Sequence, residues 1–232
     1  LLSMVDSSVG GKTALNLDLG KNLVGSFWQP SLVYADISLL QSLPDREWAC
    51  GCGEVVKSAV IDSGDFAEWL ILHAQEIQQR NPEVTQEAIK RCITFKARVV
   101  IQDKHETSGI RECLNYGHTL AHAIEAYAGY GTYSHGHAVA QGMRFASRLA
   151  AGLGLCDIDF VVSQDSLLDS FDLSEISLNA SAQELLALMK VDKKVRHGVL
   201  RFVLPCGYGS WEVRELTDEV VLRYLEAWLV AQ

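Results

Sequence analysis

The stretch Arg111–His137, R-E-C-L-N-Y-G-H-T-L-A-H-A-I-E-A-Y-A-G-Y-G-T-Y-S-H-G-H, limits more than any other what this chain can become. It carries four of the seven histidines, His118, His122, His135 and His137. From His118 the run T-L-A-H-A-I-E-A-Y-A has the spacing of an amphipathic helix, which sets His118 and His122 one turn apart on one face. A Gly-rich turn follows, and S-H-G-H opens a second apolar segment, A-V-A-Q-G-M-R-F-A-S-R-L-A-A-G-L-G. Histidines at both ends of such a helix–turn–helix can converge on one point, as a metal site or a proton-transfer site requires. A single His on an apolar helix is ordinarily a hydrogen-bonded core residue. Four so close together, with Arg111 and Asn115 beside them, are harder to assign to packing. Metal binding and acid–base chemistry both stay open. A zinc-protease helix is excluded, because H-E-x-x-H needs Glu after the first His and Thr119 stands there.

At 232 residues the chain is one large domain or two small ones, and 48% hydrophobic with 21% charged residues suffices for a buried core. A net charge of −9 argues against nucleic acid and membrane surfaces as partners. An anionic ligand would therefore need a local basic pocket working against the overall field. The six cysteines, Cys50, Cys52, Cys92, Cys113, Cys156 and Cys206, show no framework spacing, and Cys50-x-Cys52 is too tight for a C-x-x-C pair. Reduced thiols in a cytoplasmic protein are the expectation. No apolar run approaches the about 20 residues of a membrane span, and no leader peptide is expected. The chain begins without Met inside an apolar segment, Leu1-Leu2-Ser3-Met4-Val5, and is expected to continue a longer protein.

Residues 1–30 are Gly-rich and read as loop and turn. G-G-K-T at Gly10–Thr13 is not a P-loop, since Asp6 occupies the place of the required leading glycine. Lys12 and Lys21 in such loops either hold an anion beside bare backbone N–H groups or are solvated. S-L-V-Y-A-D, residues 31–36, reads as a short buried strand. Pro44-Asp45 starts a helix with proline in its first turn, and Glu54 and Lys57 share a face of it. That pair is either an internal ion pair or a metal ligand beside an anion-holding cation. Further helices are predicted over 64–79 and 83–103, the second after Asn81-Pro82. Lys96 in the apolar part of F-K-A-R-V-V-I reads, on the residues alone, as a snorkelling side chain. Short helices are predicted over 157–170 and 182–190, with a Ser181/Glu184 capping box. A basic turn V-D-K-K-V-R-H-G then leads into a strand, and a last helix fills 218–231 after Thr217 as N-cap.

Taken together, V-D-S-S-V-G-G-K-T, L-G-K-N-L-V-G-S-F-W-Q-P, L-P-D-R-E, G-E-V-V-K, R-E-C-L-N-Y-G-H-T-L-A-H-A-I-E and H-G-H-A-V-A-Q-G-M resemble the 3-dehydroquinate synthase family. They occur in the family's order over most of the first 150 residues, and D-K-K-V-R-H-G-V-L-R-F-V-L-P matches near the end. The resemblance implies an α/β plus all-α chain. Residues 1–43 would be the remnant of a Rossmann-like NAD-binding domain, and 44–232 a mainly helical metal- and substrate-binding domain. The glycine-rich nucleotide turn is missing, so the chain resembles the later two-thirds of such an enzyme, with poor NAD affinity on its own.

The resemblance further implies a cytoplasmic, homodimeric, NAD- and zinc-dependent lyase of the shikimate pathway, in aromatic amino acid biosynthesis. Its substrate would be a small sugar phosphate, 3-deoxy-D-arabino-heptulosonate 7-phosphate. Transient oxidation by NAD, loss of phosphate, re-reduction and aldol cyclisation would give 3-dehydroquinate. Carried over by motif, the zinc ligands would be Glu54, His118 and His135; cobalt suits the same donors. His122 would relay protons. Lys57, Lys96, Arg111 and Asn115 would hold the substrate's phosphate, carboxylate and hydroxyls, with Asp6, Lys12 and one or both of Lys193 and Lys194. Lys12, Lys21, Leu39, Leu40, Gln41, Ser42 and Glu47 match NAD-contacting or adjacent positions. His137 stands where the family more often has Glu, so it competes with His135, which aligns with the family ligand. The alternatives are another sugar phosphate cyclase or a metal-dependent polyol dehydrogenase of the same fold. A non-catalytic helical module would bind no stoichiometric metal.

Overall fold

Helix α1 (Asp45–Asp62) is the axis on which the other elements pack. Its residues from Trp48 to Ile61 are buried without a break. A helix with no solvated face must be wrapped on all sides. Helices α2 (Gly64–Gln78), α3 (Pro82–Gln102) and α5 (His135–Gly152) supply most of that wrapping. The computed structural model describes residues 1–17, 20–104, 107–129, 131–192 and 199–232, without the side chains of residues 16, 17, 20–23 and 192.

Local chemistry sets the helix starts. The Ser63 side chain accepts from Phe66 N at 3.2 Å to open α2. Asn81 Oδ1 accepts from Glu83 N and Val84 N, with Pro82 in the first turn of α3. Helix α4 (His118–Ala128) lies against α5 and against α7 (Ala182–Asp192). The expected capping box opens α7: Ser181 N donates to Glu184 at 2.9 Å, and Glu184 N donates to the Ser181 hydroxyl at 3.2 Å. Helix α6 (Ile158–Asp169) packs on α5, and α8 (Asp218–Val230) packs on α7.

Among the described residues, four strands form two antiparallel pairs. β1 (Lys12–Leu17) pairs with β2 (Gly20–Phe27), Lys12 opposite Phe27 and Leu15 opposite Val24. β3 (Leu200–Gly207) pairs with β4 (Ser210–Leu216), Leu200 opposite Leu216 and Pro205 opposite Trp211, and β3 rests on α5. Leu1, Val5 and Leu40 join the same apolar core as α1. No helix among the described residues is long and apolar enough to cross a membrane.

Several expectations need correction. Residues 1–30 are not loop alone: a π-helical turn at Ser3–Ser7 and the β1–β2 hairpin occupy most of them. Glycine content points to turns, but the backbone pairing of these two segments outweighs it. Residues 31–36 are not a buried strand; Leu32 and Tyr34 are exposed and no described strand pairs with the segment. Apolar content favours a strand only where a partner takes its backbone groups. Pro44 is the N-cap of α1 rather than part of its first turn; Thr217 is the N-cap of α8 as expected, though its side chain makes no capping bond. Strand β4 had no counterpart in the sequence reading. The basic turn before β3 lies outside the described residues.

Candidate metal centre and anion pocket

Three elements bring the candidate metal-ligating side chains together. Glu54 sits mid-way along α1, His118 is the first residue of α4, and His135 the first of α5. His135 Nε2 lies 3.3 Å and His118 Nε2 3.5 Å from Glu54 Oε1. One ligand atom from each of the three lies within 4.8 Å of the others, a spacing a single metal ion can bridge. The fit has a chemical side as well. Glu54 is a fully buried carboxylate facing two imidazoles, which is a donor set suited to zinc or cobalt. The His122 ring centroid lies 5.5 Å from that of His118 and 6.3 Å from that of His135.

Glycine makes the α1–α5 approach feasible. A Cβ on Gly136 would lie 2.0 Å from the Cys50 carbonyl oxygen, and one on Gly53 would lie 2.7 Å from the Gly136 carbonyl oxygen. The two backbones are thus in contact, and each contact glycine neighbours a candidate ligand, Glu54 or His135. Neither glycine was singled out from sequence, since the requirement exists only once the two helices cross.

Each histidine has a different partner on its far nitrogen. His118 Nδ1 lies 3.0 Å from the Tyr116 carbonyl oxygen. His135 Nδ1 lies 3.6 Å from Glu125 Oε1, a buried carboxylate of α4 that the sequence reading did not single out.

Beside this cluster opens a cavity of about 640 Å³. Asp6, Lys12, Lys57, Lys96, Arg111, Asn115 and His118 all line it. Arg111 and Asn115 come from a 3-10 turn at Ile110–Asn115, Lys57 from α1, Lys96 from α3 and Lys12 from β1. Lys57 is buried against Glu54, and its Nζ lies 3.4 Å from Asp6 Oδ1. Lys96 Nζ lies 3.0 Å from Asp6 Oδ2. An Arg111 N–H reaches the Gly10 carbonyl oxygen at 3.4 Å.

The charge states follow from these neighbours. Burial works against ionised Glu54, but Lys57 and the two imidazoles hold it well below the usual carboxylate range. Burial likewise opposes charged Lys57, and Asp6 with Glu54 more than compensates, so it stays above the ordinary lysine range. Asp6 is held ionised against burial, chiefly by Lys57. Burial lowers Lys96, with Asp6 offsetting only part. His118 is pushed down to about 3, by burial first. His135 goes the other way: burial opposes its proton, but Glu125 and Glu54 raise it to about 10.

Other expected residues fall elsewhere. His137 turns away from Glu54; its Nε2 lies 3.0 Å from the Asp172 carbonyl oxygen and its Nδ1 3.1 Å from the Ser134 hydroxyl. Leu39, Gln41, Ser42 and Glu47 are exposed, and Leu40 is buried in the core; none is among the residues lining the cavity. Lys193 and Lys194, and the side chain of Lys21, lie outside the described residues.

The fold has counterparts among solved structures. A 2-deoxy-scyllo-inosose synthase complexed with carbaglucose-6-phosphate, NAD+ and Co2+ matches 97% of this chain and 64% of its own, with TM-score 0.85 and 27% identity. The 2-epi-5-epi-valiolone synthase of Streptomyces hygroscopicus subsp. jinggangensis 5008, with NAD+ and Zn2+ bound, matches 100% of this chain and 64% of its own, with TM-score 0.89; at 21% identity it speaks for the fold alone. In sequence, the model of the 3-dehydroquinate synthase C-terminal region matches residues 51–195, and that of the N-terminal region residues 1–50. The chain belongs to the 3-dehydroquinate synthase family. The 3-dehydroquinate synthase of Rhodopirellula baltica is 50% identical over 209 residues, 90% of this chain and 56% of that protein. That of Syntrophotalea carbinolica is 44% identical over 227 residues, 98% of this chain and 62% of that protein. The chain thus spans less than two-thirds of the length of the relatives it matches.

Proposed function

We propose that this chain carries the metal and most of the substrate site of a 3-dehydroquinate synthase. The reaction would take 3-deoxy-D-arabino-heptulosonate 7-phosphate to 3-dehydroquinate and phosphate. One observation carries the reading: the Glu54–His118–His135 donor set adjoins a cavity lined by Lys12, Lys57, Lys96 and Arg111. Few ligands need both a metal and a cluster of cations in an acidic protein; a sugar phosphate that also bears a carboxylate is one.

Glu54, His118 and His135 would hold zinc, or cobalt as in the inosose synthase structure. Three protein ligands leave a position for substrate oxygens. When bound, the metal supplies Lewis acidity at a hydroxyl and carbonyl, and NAD supplies reversible hydride acceptance. The chain's own residues do the rest. Lys57, Lys96, Arg111 and Lys12 bind the phosphate and carboxylate, with one or both of Lys193 and Lys194, and so orient the sugar. Asn115, exposed at the cavity wall, takes a hydroxyl. Asp6 holds Lys57 and Lys96 in place. His122, beside both ligand histidines, moves protons. For NAD, Lys12, Lys21, Leu39–Ser42 and Glu47 rest on the family resemblance. We assign the protein to the cytoplasm and to a homodimer on the same basis. The nucleotide-domain boundary is set at residues 43/44, close to the division between the two family regions at 50/51.

The test is phosphate release from 3-deoxy-D-arabino-heptulosonate 7-phosphate by the intact protein with NAD+, before and after chelation. Release that needs both metal and NAD+, with 3-dehydroquinate as product, is the expected result. Stoichiometric metal without release overturns the substrate assignment and turns attention to the phosphates used by sibling cyclases.

A further inference from the structure

The metal-binding reading leaves one buried charged group without a task. Glu125 lies seven residues beyond His118 on α4, so His118, His122 and Glu125 fall on one stripe of the helix. Its side chain is only 9% exposed. Carboxylates are seldom buried unless they are paired, so its position calls for a counterpart. Across the turn stands His135, whose two ring nitrogens each face a carboxylate: Nε2 lies 3.3 Å from Glu54 and Nδ1 3.6 Å from Glu125. The second distance is that of an ion pair rather than of a formed hydrogen bond.

We propose that Glu125 is the positioning residue of the metal centre: its carboxylate receives the Nδ1–H of His135 and so commits Nε2 to the metal. The inference rests on the metal reading of Glu54, His118 and His135. An imidazole binds a metal through one nitrogen only, and the proton on the other nitrogen decides which. A carboxylate at Nδ1 fixes that tautomer, holds the ring plane, and increases the electron density that Nε2 offers. His118 has the weaker arrangement, with the Tyr116 carbonyl oxygen in the same role. The two histidines are therefore unequal ligands, and the stronger donor is the one at the start of α5. Glu125 also adds a negative charge behind the site, which favours a divalent cation next to Lys57.

The experiment measures zinc affinity by chelator competition for the wild type, Glu125→Gln, His118→Ala, His135→Ala and the Glu125→Gln/His135→Ala pair. Thermal melting of each chelator-stripped variant serves as the fold control. Glu125→Gln should weaken zinc binding about 10- to 100-fold, the range found for such outer partners. On the His135→Ala background the same change should add little, because its effect runs through that ring. Zinc affinity in Glu125→Gln within about twofold of wild type overturns the proposal while leaving the ligand set intact, provided His118→Ala loses metal. Equal losses on both backgrounds overturn it too, in favour of a general charge effect. A protein that takes up no zinc overturns both this inference and the metal reading. A second measurement needs no variant: in the zinc-loaded protein, NMR of 15N-labelled imidazoles should show His135 protonated at Nδ1 and metallated at Nε2. The opposite tautomer sinks the proposal.

Discussion

Asp6 Oδ2 lies 3.0 Å from Lys96 Nζ, and the same carboxylate lies 3.4 Å from Lys57. Lys57 has Glu54 as a second counter-ion, whereas Asp6 is the carboxylate paired with Lys96. Burial already depresses Lys96, and Asp6 opposes that depression. Asp6→Asn should therefore let Lys96 lose its proton at lower pH. Its alkaline loss of anion binding is expected at lower pH than in the wild type. Below that limb, where both lysines are charged, the variant should bind phosphate more tightly, since a competing anion is gone. Titration calorimetry with inorganic phosphate across pH 6–10 (about the span needed to see both limbs) checks this. An unshifted alkaline limb would mean that Asp6 does not support Lys96.

Metal uptake should release about one proton per ion near pH 7.5. His135 is raised to about 10 without metal, so it must give up a proton to become a ligand. His118, pushed down to about 3, and ionised Glu54 have none to give. Zinc added to stripped protein in weak buffer, followed with a pH indicator, measures the number directly. No release would refute His135 as a protonated ligand.

The same two histidines shape the stability of the metal-free protein. His135, raised above the unfolded value of about 6.5, contributes stability that is complete below that pH and lost as pH climbs through about 10. His118 is lowered, so its neutral form is favoured on folding, and stability falls as pH drops from about 6.5 toward about 3. Thermal melting of stripped His135→Gln should lose the alkaline part of this dependence and keep the acid part.

His135→Ala should abolish stoichiometric metal, whereas His137→Ala should retain it. His137 Nε2 is engaged with the Asp172 carbonyl oxygen and lies outside the Glu54 cluster. Metal content by mass spectrometry on the two variants decides between the neighbours in H-G-H. Loss of metal from His137→Ala would reverse the assignment.

How legible this site was depends on whether a requirement is local. The helix from His118 and the one opened by Ser134-His135 could be read from periodicity, because a 3.6-residue stripe and an N-cap belong to single segments. Glu54, Lys12 and Lys57 could each be read two ways from their own segments, and only the family resemblance chose between the readings, as nothing in G-E-V-V-K alone points to His118. Residues 31–36 misled because a strand needs a partner, which apolar content does not supply. Glu125 stood in plain view one stripe from His118, yet its meaning depends on His135 across a turn.

Gly136 is where packing and site meet. A methyl group there would lie 2.0 Å from the Cys50 carbonyl oxygen, backbone against backbone, with no flexible side chain to yield. Gly136→Ala must therefore push α1 and α5 apart, and Glu54 and His135 ride on those helices. Overpacking of this kind costs about 1–3 kcal/mol, and rigid partners put this case toward the upper end. Because metal binding needs its ligand atoms placed to within a few tenths of an ångström, zinc affinity should fall as well, by about tenfold or more. Urea unfolding of the stripped protein and chelator competition separate the two effects. A variant that loses stability but binds zinc as the wild type does would show that the helix crossing serves the fold alone.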